Sequence, residues 1–147
     1  MAVLDGRLYA AGGVNEDDGA LSSVERYDPA TNAWEEVAPM AETRHEDVAV
    51  LDGKLYAVGG CNNGALGSVE RYDPMTNVWE EVVPMTRARH IHGVAVLDGT
   101  LYAVGGAYSG HNNAHLNSVE RYVPAANAWE AVAPMASVRA YPGCVSV

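Results

Sequence analysis

Cysteine is scarce in this 147-residue sequence. Its two cysteines, Cys61 and Cys144, lie far apart and form no C-x-x-C pair. Disulfide frameworks and structural zinc sites place more cysteines at short, recurring spacings. We therefore expect reduced thiols, no bound metal and no cofactor, which fits a cytoplasmic protein.

Basic residues are few as well, with 9 Lys and Arg against 19 Asp and Glu and a formal net charge of -10. Such a surface repels the phosphate backbone that nucleic-acid-binding proteins neutralise with Lys and Arg. No apolar run approaches the roughly 20 residues of a membrane-spanning helix, and no signal-peptide pattern is present at the start. We expect neither nucleic acid nor a membrane among the partners.

Catalytic motifs are missing too. The sequence has no G-x-S-x-G, no H-E-x-x-H and no phosphate-binding loop. Asp17 and Asp18 form a tight carboxylate pair, but adjacent acids in a loop are usually just solvated, and a catalytic pair needs environments that separate their pKa values. We expect no enzymatic activity and keep an enzyme as a distant alternative.

What the sequence does contain is an internal repeat of about 45 to 50 residues, a length typical of propeller blades. Helical repeats of similar length would lack the interior Gly-Gly and Pro seen here. In each copy a Leu-Tyr-Ala-x-Gly-Gly segment precedes Ser-Val-Glu-Arg-Tyr, a tryptophan and a Pro-Met pair. The first segment occupies 8–13, 55–60 and 101–106. The second segment occupies 23–27, 68–72 and 118–122. The tryptophans are Trp34, Trp79 and Trp129.

Each copy predicts four short strands, A to D, separated by turns. Strand A is a small apolar run such as 93–97, typical of a strand buried on both faces. An Asp-Gly pair follows, which is the strongest short-range signal for a two-residue hairpin turn. Between strands C and D, Asp-Pro-x-Thr-Asn in two copies predicts a second tight turn, whose Asp and Thr are replaced in the third copy by Val123 and Ala126.

These residues resemble the Kelch repeat: a Gly-Gly doublet ends strand B, a Tyr lies in strand C, and a Trp follows that Tyr by about seven residues. The resemblance covers the whole chain. It implies an all-β, Kelch-type β-propeller of four-stranded blades. It also implies a protein-interaction module, a role that the family often has within ubiquitin-ligase substrate adaptors.

Three blades do not close a propeller, which typically has 4 to 8. We expect residues 1–147 to form a single half-propeller domain, with repeats at approximately 1–47, 48–93 and 94–147. Strand order then runs B-C-D-A, so that the first blade lacks its inner strand and 143–147 form an A strand without a blade. A head-to-tail homodimer would complete a six-bladed ring. A fragment of a longer propeller, larger rings, open stacks and a consensus-type de novo design remain alternatives.

The B–C loops and D–A connections share one end of such blades, and the B–C loops vary in length: 14–22, 61–67 and 107–117. Each D–A connection carries an arginine four residues after its Pro-Met pair: Arg44, Arg89 and Arg139. These could form a basic collar that binds an acidic peptide or protein, or they could pair between blades. Arginines inside strand C, beside a recurrent Glu, are expected to form structural ion pairs: Arg26, Arg71 and Arg121.

Histidines and tyrosines complete the candidate surface. His90 and His92 would point to one side of an extended segment, and His111 and His115 lie in the longest loop, yet no third metal ligand accompanies either pair. Exposed tyrosines suit protein contacts. The expected binding residues are Arg44, His45, Arg89, His92, Arg139, Tyr141, Asn15, Asp17, Asn62, Asn63, Tyr108, His111 and His115.

The function that follows is a non-enzymatic, self-assembling scaffold that binds protein or peptide through its B–C and D–A loops. The alternative is a purely structural or designed homodimeric propeller with no natural ligand.

Overall fold

A computed structural model describes residues 1–45, 48–109 and 114–143 of the chain. They form three antiparallel four-stranded sheets and a small two-stranded one. None of the helical segments in these ranges is long and apolar enough to cross a membrane. The strands are β1 (Ala2–Leu4), β2 (Arg7–Ala11), β3 (Val14–Asn15), β4 (Gly19–Ala20), β5 (Val24–Asp28), β6 (Ala33–Val37), β7 (Val48–Leu51), β8 (Lys54–Val58), β9 (Val69–Asp73), β10 (Val78–Val82), β11 (Gly93–Leu97), β12 (Thr100–Val104), β13 (Val119–Val123) and β14 (Ala128–Val132).

Each large sheet uses four strands that are consecutive apart from the β3–β4 hairpin, with orders β1-β2-β5-β6, β7-β8-β9-β10 and β11-β12-β13-β14. We call them sheets 1, 2 and 3. The predicted A-to-D order is therefore confirmed for all three copies. The prediction that the first sheet lacks its inner strand is wrong, because Ala2–Leu4 pairs with β2 in the register Ala2↔Tyr9 and Leu4↔Arg7. The further A strand expected at 143–147 falls mostly on 144–147, outside the described residues.

The predicted Asp-Gly turns are present. In sheet 2, Asp52 has φ 50° and Gly53 has φ 69°, and both other copies repeat these positive values. Two successive positive φ angles match the right-handed twist of the flanking strands. This turn therefore fixes the register of strand A on strand B even where strand A is only three residues long.

The C–D turns differ between copies as the sequence suggested. In sheet 2, the Asp73 carboxylate accepts a hydrogen bond from the Met75 N–H at 2.9 Å, and the Tyr72 hydroxyl donates to Asn77 at 2.9 Å. The third copy has Val123 instead of the Asp, and a 3-10 turn at Pro124–Ala126 closes the loop there. The Tyr-to-Asn hydrogen bond survives, at 2.9 Å between Tyr122 and Asn127. One missing Asp therefore changes the local turn but not the connection.

The hydrophobic core lies between the sheets. Two buried clusters form, one between sheets 1 and 2 and the other between sheets 2 and 3. In each, a strand-B tyrosine of one sheet packs on a strand-C tyrosine of the next, with ring centroids 5.9 Å apart for Tyr9 and Tyr72 and 5.8 Å for Tyr56 and Tyr122. Since each sheet is covered only by its neighbours, lateral stacking supplies most of the apolar burial.

Replacing Gly59 with Ala tests how closely the backbone approaches strand B. Gly59 has φ 59°, and a Cβ there would lie 2.7 Å from the Met85 Cε and 2.8 Å from the Arg89 carbonyl oxygen. We expect Gly59→Ala to lower the free energy of unfolding by about 2 to 4 kcal/mol, from backbone strain plus overpacking. Urea denaturation measures this loss.

Gly53→Ala is the matched control. Gly53 also has a positive φ, 69°, but no atom lies within 4 Å of the position that a Cβ would take. Only the strain of about 1 to 2 kcal/mol applies there. Equal losses for the two variants would contradict the close approach at Gly59.

Candidate binding face

The B–C loops and the D–A connections lie together at one end of the sheets, and we call this end the loop face. Backbone hydrogen bonds tie each loop to its own connection. In sheet 2, the Gly60 N–H donates to the Arg89 carbonyl at 3.0 Å, and the Arg89 N–H donates to the Leu66 carbonyl at 2.9 Å. The same pair of bonds recurs in the other two sheets. The loops are thus held on a regular frame.

Adjacent loops are also joined across the sheets. The His45 N–H donates to the Cys61 carbonyl at 3.1 Å, and His90 and Ala107 exchange both backbone hydrogen bonds at 2.8 and 2.9 Å. The Ala65 N–H further donates to the Ser109 hydroxyl at 2.6 Å. The loop face is consequently one continuous surface through the three copies.

Arg44 is buried, with only 3% of its surface exposed, and it reaches from sheet 1 into sheet 2. Its guanidinium donates to the Gly59 carbonyl at 2.7 Å, to the Ser68 carbonyl at 3.1 Å and to the Glu70 carboxylate at 2.8 Å. Glu70 also accepts from the backbone N–H of Ala41 at 2.7 Å. A buried charge is stable only when it is paired and hydrogen-bonded in this way.

Arg89 repeats the arrangement one sheet further on. It is fully buried and donates to the Gly105 carbonyl at 2.9 Å, the Ser118 carbonyl at 3.1 Å and the Glu120 carboxylate at 2.7 Å. Burial lowers the pKa of Arg89, while Glu120 opposes this shift. Burial would raise the pKa of Glu120, but hydrogen bonds from Thr86 and Arg89 hold it below its ordinary value. The direct contact of Arg89 with Glu120 thus compensates part of the cost of burying both groups.

The exposed basic collar expected from sequence is corrected by this geometry. Arg44 and Arg89 join sheets and present no guanidinium to solvent, which agrees with the structural alternative that the sequence left open. Arg139 differs, because it is exposed. The strand-C arginines form structural ion pairs, as expected, and the structure identifies their partners as glutamates of strand D: Arg26 with Glu35, Arg71 with Glu80 and Arg121 with Glu130.

His92 is the second correction, because it is only 3% exposed and cannot contact a partner. Its side chain packs against the backbones of Gly59 and Gly106. Burial, and then the charge of Arg89, lowers its pKa to about 3. The expected alignment of His90 and His92 also fails, since Ile91 between them has φ 48° and the segment is not extended.

Other candidates do lie on the exposed part of the loop face. Tyr141 is 79% exposed, and its N–H donates to the Ile91 carbonyl at 2.7 Å. Tyr108 is partly exposed and lies under Arg87, whose Cζ is 5.5 Å from the ring centroid. The sequence reasoning missed Arg87; the signal was a single basic residue at a connection position that is Glu42 and Ser137 in the other copies.

The remaining candidates have more local environments. The Asn15 side chain accepts from the Asp18 N–H at 2.6 Å and thereby fixes its own turn. Asn62 donates weakly to Glu42 at 3.4 Å and is half-buried. Three candidates, Asp17, Asn63 and His115, are exposed, His45 is half-buried, and His111 lies outside the described residues.

Metal ligands do not cluster in the part of the chain that the structure covers. Within residues 1–45, 48–109 and 114–143, no group of three or more His, Cys, Asp or Glu side chains could hold a metal ion. Cys61 is a free, partly exposed thiol. The arrangement of the loop face is suited to recognition through aromatic and charged side chains.

Comparison with known proteins gives one consistent picture. A family model described as "Kelch motif" matches residues 1–41, 47–86 and 88–136. Human Kelch-like protein 35 is 52% identical over 44 residues, which are 29% of this chain and 7% of that protein. The solved structure titled "Structure of YjhT" superposes with a TM-score of 0.77 at 20% identity and covers 95% of this chain. The chain spans 52% of the length of that structure and a far smaller part of the human protein.

Burial of His92 predicts a loss of stability in mild acid. Because its folded-state pKa, about 3, lies below the ordinary 6.5, the unfolded chain takes up the proton first as the pH falls. The contribution of neutral His92 to the free energy of unfolding is fully present above about pH 6.5. It is lost as the pH falls toward 3, at up to about 1.4 kcal/mol per pH unit. Urea denaturation between pH 7 and pH 5 measures the slope.

His92→Gln is expected to flatten that slope, because glutamine does not titrate. His115→Gln, at an exposed position, is the matched control and leaves the slope unchanged. An unaltered slope in His92→Gln would show that other groups cause the acid sensitivity.

Proposed function

Because the chain belongs to the Kelch repeat family, we propose that it is a non-enzymatic protein-binding module. It presents its loop face to a protein or peptide partner and assembles with a second copy into a six-bladed propeller. The observation that carries this proposal is that two B–C loops of unequal length are anchored at both ends by a buried arginine. Arg44 donates to Gly59 and Ser68 on either side of 61–67, and Arg89 donates to Gly105 and Ser118 on either side of 107–117. Variable loops on a fixed scaffold are where binding sites concentrate.

The opposite end of the sheets offers little for recognition. It consists of the Asp-Gly turns, whose positive φ angles repeat in all three copies, and the short C–D turns, of which the third is a 3-10 turn. The B–C loops, in contrast, have 9, 7 and 11 residues between the Gly-Gly doublet and the Ser preceding strand C, at 14–22, 61–67 and 107–117. Specificity therefore belongs to the loop face.

The chemistry of the loop face suggests the partner. Tyr108 and Tyr141 offer large amphipathic surfaces that lose little conformational entropy on binding. Arg87, held over the Tyr108 ring, can bind a carboxylate through two parallel hydrogen bonds. An acidic peptide or protein segment with a neighbouring apolar residue fits this pair, and Arg44 and Arg89 take no part.

Blade number supports the proposed assembly with a second copy. The described residues form three four-stranded sheets, whereas propellers typically have 4 to 8 blades. The chain spans 52% of the solved neighbour, so that two copies supply a comparable length. A head-to-tail pair has two identical contacts and closes with no flank left over.

A scaffold with no natural ligand is the second candidate. The near-identity of the three copies, with Ser-Val-Glu-Arg-Tyr unchanged in each, favours a consensus-type design of this kind. In either case the free thiol of Cys61 agrees with a reducing, cytoplasmic setting.

Peptide selection tests the binding function. A random peptide phage library is selected on the immobilised chain, and enriched peptides are measured against the Arg87→Ala/Tyr108→Ala variant. We expect acidic, apolar-containing peptides whose affinity falls at least about 10-fold in the variant, since central aromatic and arginine contacts carry most binding energy. Binding is measured by biolayer interferometry.

Met75→Ala is the control, because Met75 is 90% exposed on a C–D turn at the opposite end. It is expected to leave every affinity unchanged. No enrichment would favour the ligand-free scaffold, and enriched peptides that are insensitive to the double variant would contradict binding at Arg87 and Tyr108.

Light scattering tests the assembly. At micromolar concentration we expect a mass of about 31 kDa, twice the 15.6 kDa of one chain. A monodisperse particle of 15.6 kDa would contradict the homodimer.

A further inference from the structure

We propose that two copies of the chain join through a third intersheet interface, in which Arg139 of one copy inserts into an acceptor site formed by Gly12, Ser23 and Glu25 of the other. This interface rests on the proposed homodimeric ring and specifies its contacts. Within each chain the same contact already occurs twice, around Arg44 and around Arg89.

The acceptor site is present on sheet 1 and is open. Gly12, Ser23 and Glu25 hold the repeat positions of the groups that receive Arg44 in sheet 2 and Arg89 in sheet 3. Glu70 and Glu120 at this position are 2% and 3% exposed, whereas Glu25 is exposed. No hydrogen bond to the Glu25 side chain is found within the described ranges. Sheet 1 therefore carries an unpaired carboxylate where a buried ion pair forms elsewhere.

The matching donor is on sheet 3. The Arg139 carbonyl accepts from the Gly106 N–H at 2.7 Å, and its own N–H donates to the Leu116 carbonyl at 3.0 Å. These are the backbone bonds that hold Arg44 and Arg89 in place. The guanidinium of Arg139 is exposed, with no side-chain partner among the residues that the structure covers. It therefore starts from the same backbone position, but no further sheet receives its guanidinium among the described residues.

A second contact at the outer strand is left open in the same way. The Trp79 indole donates to the Ala38 carbonyl at 2.9 Å, and the Trp129 indole donates to the Val83 carbonyl at 3.0 Å. Trp34, the corresponding residue of sheet 1, is 47% exposed. Its counterpart acceptor is Ala133 of sheet 3. In the head-to-tail arrangement, sheet 3 of each copy lies against sheet 1 of the other, and we call each of these two contacts a seam. Trp34 and Ala133 meet in both seams.

Apolar side chains show the same complementarity. Leu55 and Leu101 are fully buried on the side that faces the preceding sheet, but Leu8 in sheet 1 is 39% exposed. On the other side, Leu51 is 3% exposed and the equivalent Leu97 of sheet 3 is 59% exposed. The exposed side of sheet 1 thus carries the apolar residues that a preceding sheet covers elsewhere, and the exposed side of sheet 3 carries those that a following sheet covers. Tyr102 of sheet 3 can pack on Tyr27 of the second copy as Tyr9 packs on Tyr72.

The two flanks do not satisfy each other within one chain, because Trp34 and Leu97 are both exposed there. A second copy is the occupant that offers every missing group in the correct order: arginine, carboxylate, indole and its acceptor. Charge complementarity between Arg139 and Glu25 also selects head-to-tail over head-to-head contact, which would bring like charges together.

Arg139→Met separates assembly from folding. Removing one member of a desolvated ion pair leaves the other uncompensated. We expect the dissociation constant of the dimer to rise at least about 100-fold. Light scattering then gives 15.6 kDa, while circular dichroism shows that the chain remains folded. Arg89→Met, the same change at an internal interface, is expected to lower the unfolding temperature of the chain itself. Lys54→Met removes a Lys54–Asp73 ion pair that lies within the middle sheet, and it is the control that leaves the dimer unchanged.

An engineered disulfide tests the register of the seam. Backbone bridges pair His45 with Cys61 and His90 with Ala107 across the internal interfaces, and the equivalent pair across the seam is Ala140 with Val14. Hydrogen-bonded antiparallel pairs have Cα atoms about 5.5 Å apart, a distance that a disulfide spans. In a Cys61→Ala/Cys144→Ser background, V14C/A140C is expected to give a covalent dimer on oxidation, and neither single variant is.

The outcomes separate the seam from the ring. Cross-linking and loss of assembly in Arg139→Met support the seam even if light scattering of the unmodified chain shows more than two copies, in which case only the six-bladed ring fails. If the 31 kDa dimer persists in Arg139→Met and V14C/A140C does not form a covalent dimer, the proposed Arg139 contact is wrong but the six-bladed ring is not contradicted. A monomer at micromolar concentration overturns both.

Discussion

The buried arginine that passes from one sheet into the next is the contact on which the rest of the structure depends. It takes a full charge out of water, so it is stable only when two carbonyl oxygens and a carboxylate of the following sheet lie in place. A sheet that slid or rotated would leave that charge unpaired. Arg44 and Arg89 therefore fix the relative position of the sheets, whereas the tyrosine and leucine contacts supply stability without specifying register.

This contact also explains why widely separated letters of the repeat recur together. The Gly-Gly doublet lets the connection backbone come close, the Ser and Glu of the next copy receive the guanidinium, and the Arg provides it. In sheet 2, a Cβ on Gly59 would collide with the backbone of Arg89, the residue that enters sheet 3. The need to bury one arginine between sheets therefore determines the Gly-Gly doublet, the Ser, the Glu and the Arg, although these residues lie in different strands and loops.

Much of the fold could be predicted from the sequence because its signals are local. Period, Asp-Gly turns and short apolar runs gave the four strands of each copy, and Gly93–Leu97 matches the predicted strand A to the residue. The inner strand of sheet 1 was predicted to be absent, because Ala2–Leu4 is only the end of the apolar run that forms strand A in the other copies. The Asp-Gly turn that follows nevertheless pairs these three residues with β2.

The candidate site was harder to predict from the sequence than the fold, because the burial of a side chain depends on distant parts of the chain. Nothing in the order of residues tells whether Arg44 points to solvent or into the next sheet, and the positive φ of Ile91, which separates His90 from His92, is unusual for a β-branched residue. Arg87 was overlooked because its partner, Tyr108, lies in another loop.

Placing the core between the sheets has a consequence for how the molecule opens. Sheet 2 is covered on both sides within one chain, and Leu55, Tyr56, Ala57 and Val58 in its second strand are all at most 2% exposed. Sheets 1 and 3 each have one uncovered flank. Unfolding of a single copy is therefore expected to begin in its two outer sheets, and the amide protons of β8 are expected to exchange last. Dilution, which dissociates the proposed dimer, is expected to destabilise the outer sheets first.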